Sequence, residues 1–244
     1  MPNKKRLMET DNNGIQRQFY PITNIDSVDD LFNVLVLGKP IIKQSSCDFK
    51  GKVKGNTNSN PHKFMFLPGE TLLEPNIKWW EAEQEHYDGI TALNGHPIIT
   101  QTKEKDQMWQ ILLVWDLVAD VDRQYPTLYN HLKLTTHADR VKWLINHATQ
   151  ITPTIWASGS GATGEYIDFR VYYRDNLRWN VGPGTNSGSI YRLSIDMENT
   201  WYVIQDDGCV YCLAYAPKSD GNVPSVINLD YANLRYTLAF DTNL

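Results

Sequence analysis

The chain has little with which to staple, anchor or catalyse. Three cysteines in 244 residues, Cys47, Cys209 and Cys212, are too few for a disulfide framework. No apolar run approaches the roughly 18 residues of a membrane span, so no membrane partner is expected. The opening Met-Pro-Asn-Lys-Lys-Arg stretch is charged but has no apolar segment behind it, so no secretory signal is expected. Asn is common, yet no Asn-X-Ser/Thr acceptor occurs. Together these absences point to an intracellular product. Excess basic charge is missing as well. Acids outnumber bases 28 to 23, for a net charge of −5. A general nucleic-acid binder needs a basic face, and Lys4-Lys5-Arg6 is too short to supply one.

Catalytic and metal motifs are equally thin. None of the six His forms H-x-x-x-H, and there is no G-x-S-x-G elbow. Cys209-Val-Tyr-Cys212 resembles a metal-binding pair. On a strand, however, residues three apart point to opposite faces. No second pair completes four ligands, and Cys47 does not mend this. Both cysteines read as small buried hydrophobes, and no metal is expected. Asp116 and Asp120 share one face of an expected helix that also carries Asp122. Such a pair can hold a hard cation or move protons, but the solvated stripe of an amphipathic helix explains it first. No catalytic residue is assigned, although carboxylate pairs for glycoside cleavage have no fixed spacing.

Gly159-Ser-Gly161-Ala-Thr-Gly164 matches G-x-G-x-x-G letter for letter. A dinucleotide fingerprint needs a strand before it and a helix after it. Here a strand follows, near Tyr166, so that reading fails. A surface loop is the simplest account. The alternative is a phosphate or nucleotide site on the loop amides of Gly159, Gly161 and Gly164.

What the chain does have is aromatic residues: 13 Tyr and 8 Trp. Such rings bury much area at little entropy cost and keep a polar tip. They suit cores and interfaces. Trp109, Trp115 and Trp143 fall on helical stripes and read as core. Trp79, Trp179 and Trp201 are the expected surface tryptophans.

The expected fold is a single α+β domain over 1–244. Residues 1–24 form an extended arm with a few anchors, among them Phe19 and Tyr20. Residues 25–152 are expected to be mainly helical, and 153–244 mainly an antiparallel β-sandwich. Ser27-Val-Asp-Asp30 and Thr136-His-Ala-Asp139 read as capping boxes with Asp in place of Glu. The first helix would run to Leu37. Pro75 opens a short one ending near Gly89. The longest, from Lys105 to about Arg123, places Met108, Ile111, Leu112, Trp115, Val118 and Ala119 at helical spacing. Lys50 to Pro61 reads as an exposed loop. After Pro153 the period falls to two. Strands are expected over 166–173, 190–197, 201–205, 209–215 and 226–240, with Asp206-Asp207-Gly208 as a tight turn.

Three function classes survive: structural self-assembly, carbohydrate binding by exposed rings, and an enzyme without a readable motif. Self-assembly fits an intracellular, acidic, aromatic-rich chain whose catalytic signals fail on inspection. In its general plan of a polar arm, a helix and a strand-rich, Tyr-rich body, the chain resembles the cypovirus polyhedrins, the matrix proteins of viral occlusion bodies. No single run of residues carries that resemblance. It implies a β-sandwich with helical extensions and trimers that pack into a lattice. That lattice would embed virions in the cytoplasm of an infected host cell and dissolve in alkali. The family also holds nucleotides in its lattice, which gives Gly159 to Gly164 a use, though no cofactor is assigned. Self-contacts are then expected at Phe19, Tyr20, Trp179 and Trp201.

Overall fold

The computed structural model describes residues 8–10, 16–18 and 40–240 of the chain. The chain divides into two compact units, Met1–Ile41 with Phe240–Leu244, and Ile42–Ala239. In the first, β1 (Met8–Thr10) pairs antiparallel with β2 (Gln16–Gln18). The helix expected from Ser27 to Leu37, and the anchors Phe19 and Tyr20, lie outside the described residues.

The second unit is built mostly of antiparallel strands, in two sheets arranged as a sandwich. The seven-stranded sheet runs β11-β10-β14-β7-β4-β5, with β12 paired to β10. Its strands are β4 (Lys63–Gly69), β5 (Trp80–Glu81), β7 (Met108–Asp116), β10 (Ile167–Tyr173), β11 (Arg178–Trp179), β12 (Gly184–Thr185) and β14 (Cys209–Tyr215). The six-stranded sheet runs β13-β8-β15-β3, with β6 on β15 and β9 on β8. Here the strands are β3 (Ile41–Asp48), β6 (Ile98–Thr102), β8 (Ala148–Gly161), β9 (Gly164–Glu165), β13 (Tyr191–Ser194) and β15 (Ser225–Phe240).

The expected helical character of 25–152 is corrected for its described part. Met108–Asp116, read as the start of the longest helix, is the strand β7, paired with β14 on one side and β4 on the other. Trp109 to Trp115 are all buried, so both faces of the strand are covered. A short apolar run enclosed on both faces carries no period of its own and imitates a helix stripe. Gln110 is the polar exception. It is fully buried, and its amide exchanges hydrogen bonds with the backbone at Thr71 and Leu73. The helix begins only where Asp116 caps it, accepting from the Ala119 amide at 2.9 Å. This helix, α2, spans Leu117–Gln124. The helix expected from Pro75 shrinks to α1 (Gln84–Gly89). After a short turn, α3 (Leu128–His131), comes α4 (His137–His147). Its expected cap is present: Thr136 Oγ1 accepts from the Asp139 amide at 3.1 Å.

In the strand-rich half, β10, β13, β14 and β15 fall where the two-residue period puts them. The strand expected at 201–205 is instead a 3-10 turn, Thr200–Tyr202. The Asp207-Gly208 turn stands, with Gly208 at φ +76° and the Asp207 carboxylate accepting from the Cys209 amide at 3.0 Å. The core centres on Trp115, which packs on Phe49 at 4.9 Å between ring centroids. Phe64, Tyr87, Ile111 and Phe169 are likewise fully buried. No helix among the described residues is long and apolar enough to cross a membrane.

Candidate functional site

Three places in the second unit gather chemistry. The first is the outward face of the six-stranded sheet. Along β15 the even residues from Ala232 to Leu238 are buried, while Tyr231, Asn233, Arg235 and Thr237 alternate outward. A register shift between Leu229 and Tyr231 sets this phase. Asp230, at the shift, turns in and accepts from the Asn94 and Gly95 amides. Cross-strand pairing then aligns Arg192, Trp156 and Tyr231 on β13, β8 and β15. The Trp156 and Tyr231 rings lie 5.4 Å apart. Arg192 sits 5.8 Å over Trp156, and Tyr231 donates to Asp48 of β3 at 3.0 Å. Farther along lies a cleft of about 280 Å³, lined by Gln44, Ser46, Gln150, Thr152, Arg235 and Thr237.

The second place is a surface stack. Trp201, 46% exposed, lies on Tyr202 at 3.6 Å and 27°. Tyr202 approaches Tyr173 at 6.1 Å. The 3-10 turn makes this possible by presenting two successive rings. Arg174 ties the turn down, its amide donating to the Tyr202 carbonyl and its side chain pairing with Asp206 at 3.1 Å. Leu177, at φ +51°, is 65% exposed.

The third place is buried. Cys47 on β3, His62 just before β4 and Asp120 on α2 bring their ligand atoms within 4.8 Å of one another. Asp120 is fully enclosed. Its carboxylate accepts from Arg123 at 2.7 Å, Gln124 at 2.6 Å and Tyr236 at 2.9 Å. Burial alone would push its pKa up, but His62, Arg123 and Tyr236 together hold it below the usual value. Cys47 donates weakly to the Leu234 carbonyl at 3.5 Å. Burial first, then the charges of Asp120 and Asp48, push its thiol pKa well up. His62 Nε2 stands 3.6 Å from Asp120 Oδ1, beyond hydrogen-bond distance.

The residues singled out in the sequence scatter over these places. Trp201 is at the surface as expected. Trp179 is not: it is buried, packs against Tyr172 at 5.0 Å and donates to the Leu73 carbonyl. Trp79 is buried in the same cluster, so the expected surface position of both is corrected. Trp109, Trp115 and Trp143 are core residues, the first two on a strand. Cys209 and Cys212 are buried free thiols on β14. Gly159, Gly161 and Gly164 form the β8–β9 hairpin, in which Gly161 pairs with Gly164. A Cβ on Gly159 would meet the Tyr166 carbonyl at 2.6 Å, and one on Gly161 the Pro217 carbonyl at 2.3 Å. Close packing thus accounts for both without a ligand. Asp120, read as part of a solvated stripe, is the clearest miss. A carboxylate flanked by Leu117, Val118 and Val121 on one helix face was the available signal.

No protein-family model matches the chain, and no curated protein matches it. Among the solved structures that match, two illustrate how faint the similarity is. One is the CBM22-1–GH10 module pair of endo-1,4-beta-D-xylanase 10B from Clostridium thermocellum, complexed with xylohexaose. Identity is 8% and the TM-score 0.29, over 59% of this chain and 25% of that one. The other is YcfD, a ribosomal oxygenase from Escherichia coli, at 8% identity and TM-score 0.15, over 81% of this chain and 47% of that one. The chain thus spans about a quarter of the first structure and under half of the second. At these TM-scores neither likeness carries an argument.

Proposed function

We propose that this is a structural protein that assembles with copies of itself. The observation that carries the reading is the exposed Trp201 stacked on the half-buried Tyr202, with Tyr173 tilted against it, beside the Arg174–Asp206 pair. Trp, Tyr and Arg are the residue types that dominate interface energetics, and a pre-stacked ring pair loses little entropy on docking. In its finer form the reading is a dense homomeric matrix around virions in the cytoplasm of an infected host cell, opening in alkali. Phenol–carboxylate hydrogen bonds support the alkaline part. Tyr172 donates to Glu74, Tyr211 to Asp207, Tyr215 to Asp168 and Tyr231 to Asp48. Each bond exists only while its phenol keeps its proton. Burial and the adjacent carboxylates raise the Tyr172 and Tyr231 pKa to about 12. The loosening pH for these two therefore lies above the ~10 of a free phenol.

Sedimentation velocity over a concentration series tests the reading. The wild type should form oligomers, and Trp201→Ser should shift them to monomer with an unchanged melting temperature. A wild type that stays monomeric at high concentration, or a variant that assembles equally well, ends it.

A second reading, saccharide binding, is favoured by the Arg192–Trp156–Tyr231–Asp48 row. Rings give a sugar its stacking face, and flanking charges and hydroxyls give it hydrogen bonds. Affinity electrophoresis in polysaccharide gels should then show retardation that Trp156→Ala abolishes. Equal mobility with and without polysaccharide removes this alternative.

A further inference from the structure

We propose that Cys47, His62 and Asp120 form a binding site for one divalent transition-metal ion, with zinc the best match. The donors come from β3, the segment entering β4 and α2, and all three residues are buried. His62 is 1% exposed on its side chain, yet neither ring nitrogen has a hydrogen-bond partner. A buried imidazole with no hydrogen bond to either nitrogen, Asp120 standing 3.6 Å away, is rare in folded proteins and points to a missing ligand. The other two donors of the cluster are held, Cys47 by the Leu234 carbonyl and Asp120 by three side chains. Asp120 Oδ2 accepts from Gln124 and Tyr236, and Oδ1 accepts from Arg123. Those contacts fix the carboxylate as outer-shell partners fix a metal ligand.

The donor set selects the ion. One thiolate, one imidazole and one carboxylate suit zinc, with bonds of about 2.0 to 2.3 Å. Calcium and magnesium prefer oxygen alone. Tetrahedral bonds of that length place donors about 3.5 Å apart, so the widest separation must close by about an ångström. Side-chain rotation can supply that. The charges also balance: a dication meets a thiolate and a carboxylate, while the Arg123 side chain remains 46% exposed to water. On binding, the Cys47 thiol releases its proton to solvent as the sulfur–metal bond forms, and a solvent oxygen fills the fourth position. The same residue types serve as a catalytic triad in cysteine hydrolases, but there the thiolate must meet a substrate. Cys47 is 4% exposed. The ion is therefore structural and enters as the chain folds.

The test refolds the full chain from denaturant with a chelator, with Zn2+, or with Co2+. The expected result is one ion per chain by elemental analysis and a higher melting temperature with Zn2+. The Co2+ form should show thiolate charge-transfer absorption and tetrahedral ligand-field bands. Cys47→Ala, which replaces one small buried side chain by another, should lose the charge-transfer band. Its Zn2+ affinity should fall by more than about 100-fold, the upper range for an outer-shell change. Cys209→Ala, on β14 away from the site, should keep both. No bound metal in the refolded wild type overturns the proposal, and so does a charge-transfer band that survives Cys47→Ala. Because Cys47→Ala spares the Asp120 network, its circular dichroism separates loss of the site from loss of the fold.

Discussion

Asp120 and Asp168 are two carboxylates held by the same kinds of partner in different surroundings. Asp120 takes Arg123, Gln124 and Tyr236. Asp168 takes both nitrogens of the Arg170 fork at 3.1 Å, Tyr215 at 3.0 Å and Tyr166 at 3.1 Å. Both carboxylates have an arginine that reaches water, Arg170 at 20% and Arg123 at 46% side-chain exposure, but the phenols differ: Tyr166 is 37% exposed and Tyr236 1%. Arg170 also lies over the Tyr215 ring, 5.3 Å from its centroid. The group is complete and explains itself as a structural ion pair. Around Asp120 one neighbour is left over: neither ring nitrogen of His62 makes a hydrogen bond, while the Cys47 thiol donates only to the Leu234 carbonyl. A buried carboxylate alone is therefore not the signal for a site. What marks one is unspent donor capacity beside it.

Deleting each carboxylate should separate the two nodes most sharply. Asp120→Ala strands the fully buried Tyr236 hydroxyl where water cannot replace the acceptor. A loss of about 3 to 5 kcal/mol is expected. Asp168→Ala leaves groups that can turn to solvent, and about 1 to 2 kcal/mol is expected. Urea unfolding with a chelator present measures both without any contribution from bound metal. Equal losses would mean that the difference in enclosure has no energetic content.

How much of this was legible in the sequence follows from the range of the interactions. Local signals survived: the Thr136 cap, the Gly208 turn and the two-residue period of β14 and β15 each act within a few residues. β7 was misread because Trp109 to Trp115 are enclosed by strands distant in sequence, and enclosure on both faces erases alternation. Trp179 sits on a strand two residues long and Trp79 just before another, and segments that short show no buried face in the sequence. The cluster of Cys47, His62 and Asp120 had no motif to find. Its members lie 15 and 58 residues apart and meet only through the packing of β3, β4 and α2. The surface stack was half legible. Trp201 is visible as a surface ring, but Tyr173, which meets Tyr202, comes from β10, far away in sequence.

The smallest effect concerns pH and belongs to the open node and its relatives. Burial, then the Asp168 charge and hydrogen bond, push the Tyr215 pKa up. Burial with Glu74 or Asp48 takes Tyr172 and Tyr231 to about 12. A phenol whose pKa is raised on folding binds its proton more tightly in the folded chain. Its contribution is complete below the unfolded value of ~10 and is lost as pH rises through the folded value. Stability should therefore hold level to about pH 10 and fall from there towards about pH 12, with phenolate absorbance rising in step. Tyr231→Phe keeps the ring on Trp156 and removes one titrating group. At neutral pH it should cost about 1 kcal/mol or less. In alkali its decline should be shallower by at most about 1.4 kcal/mol per pH unit, the linkage of one proton. Melting curves of both proteins across this range make the comparison. A wild type whose stability is unchanged above pH ~11, or a Phe variant with an identical slope, would detach these phenols from the alkaline response.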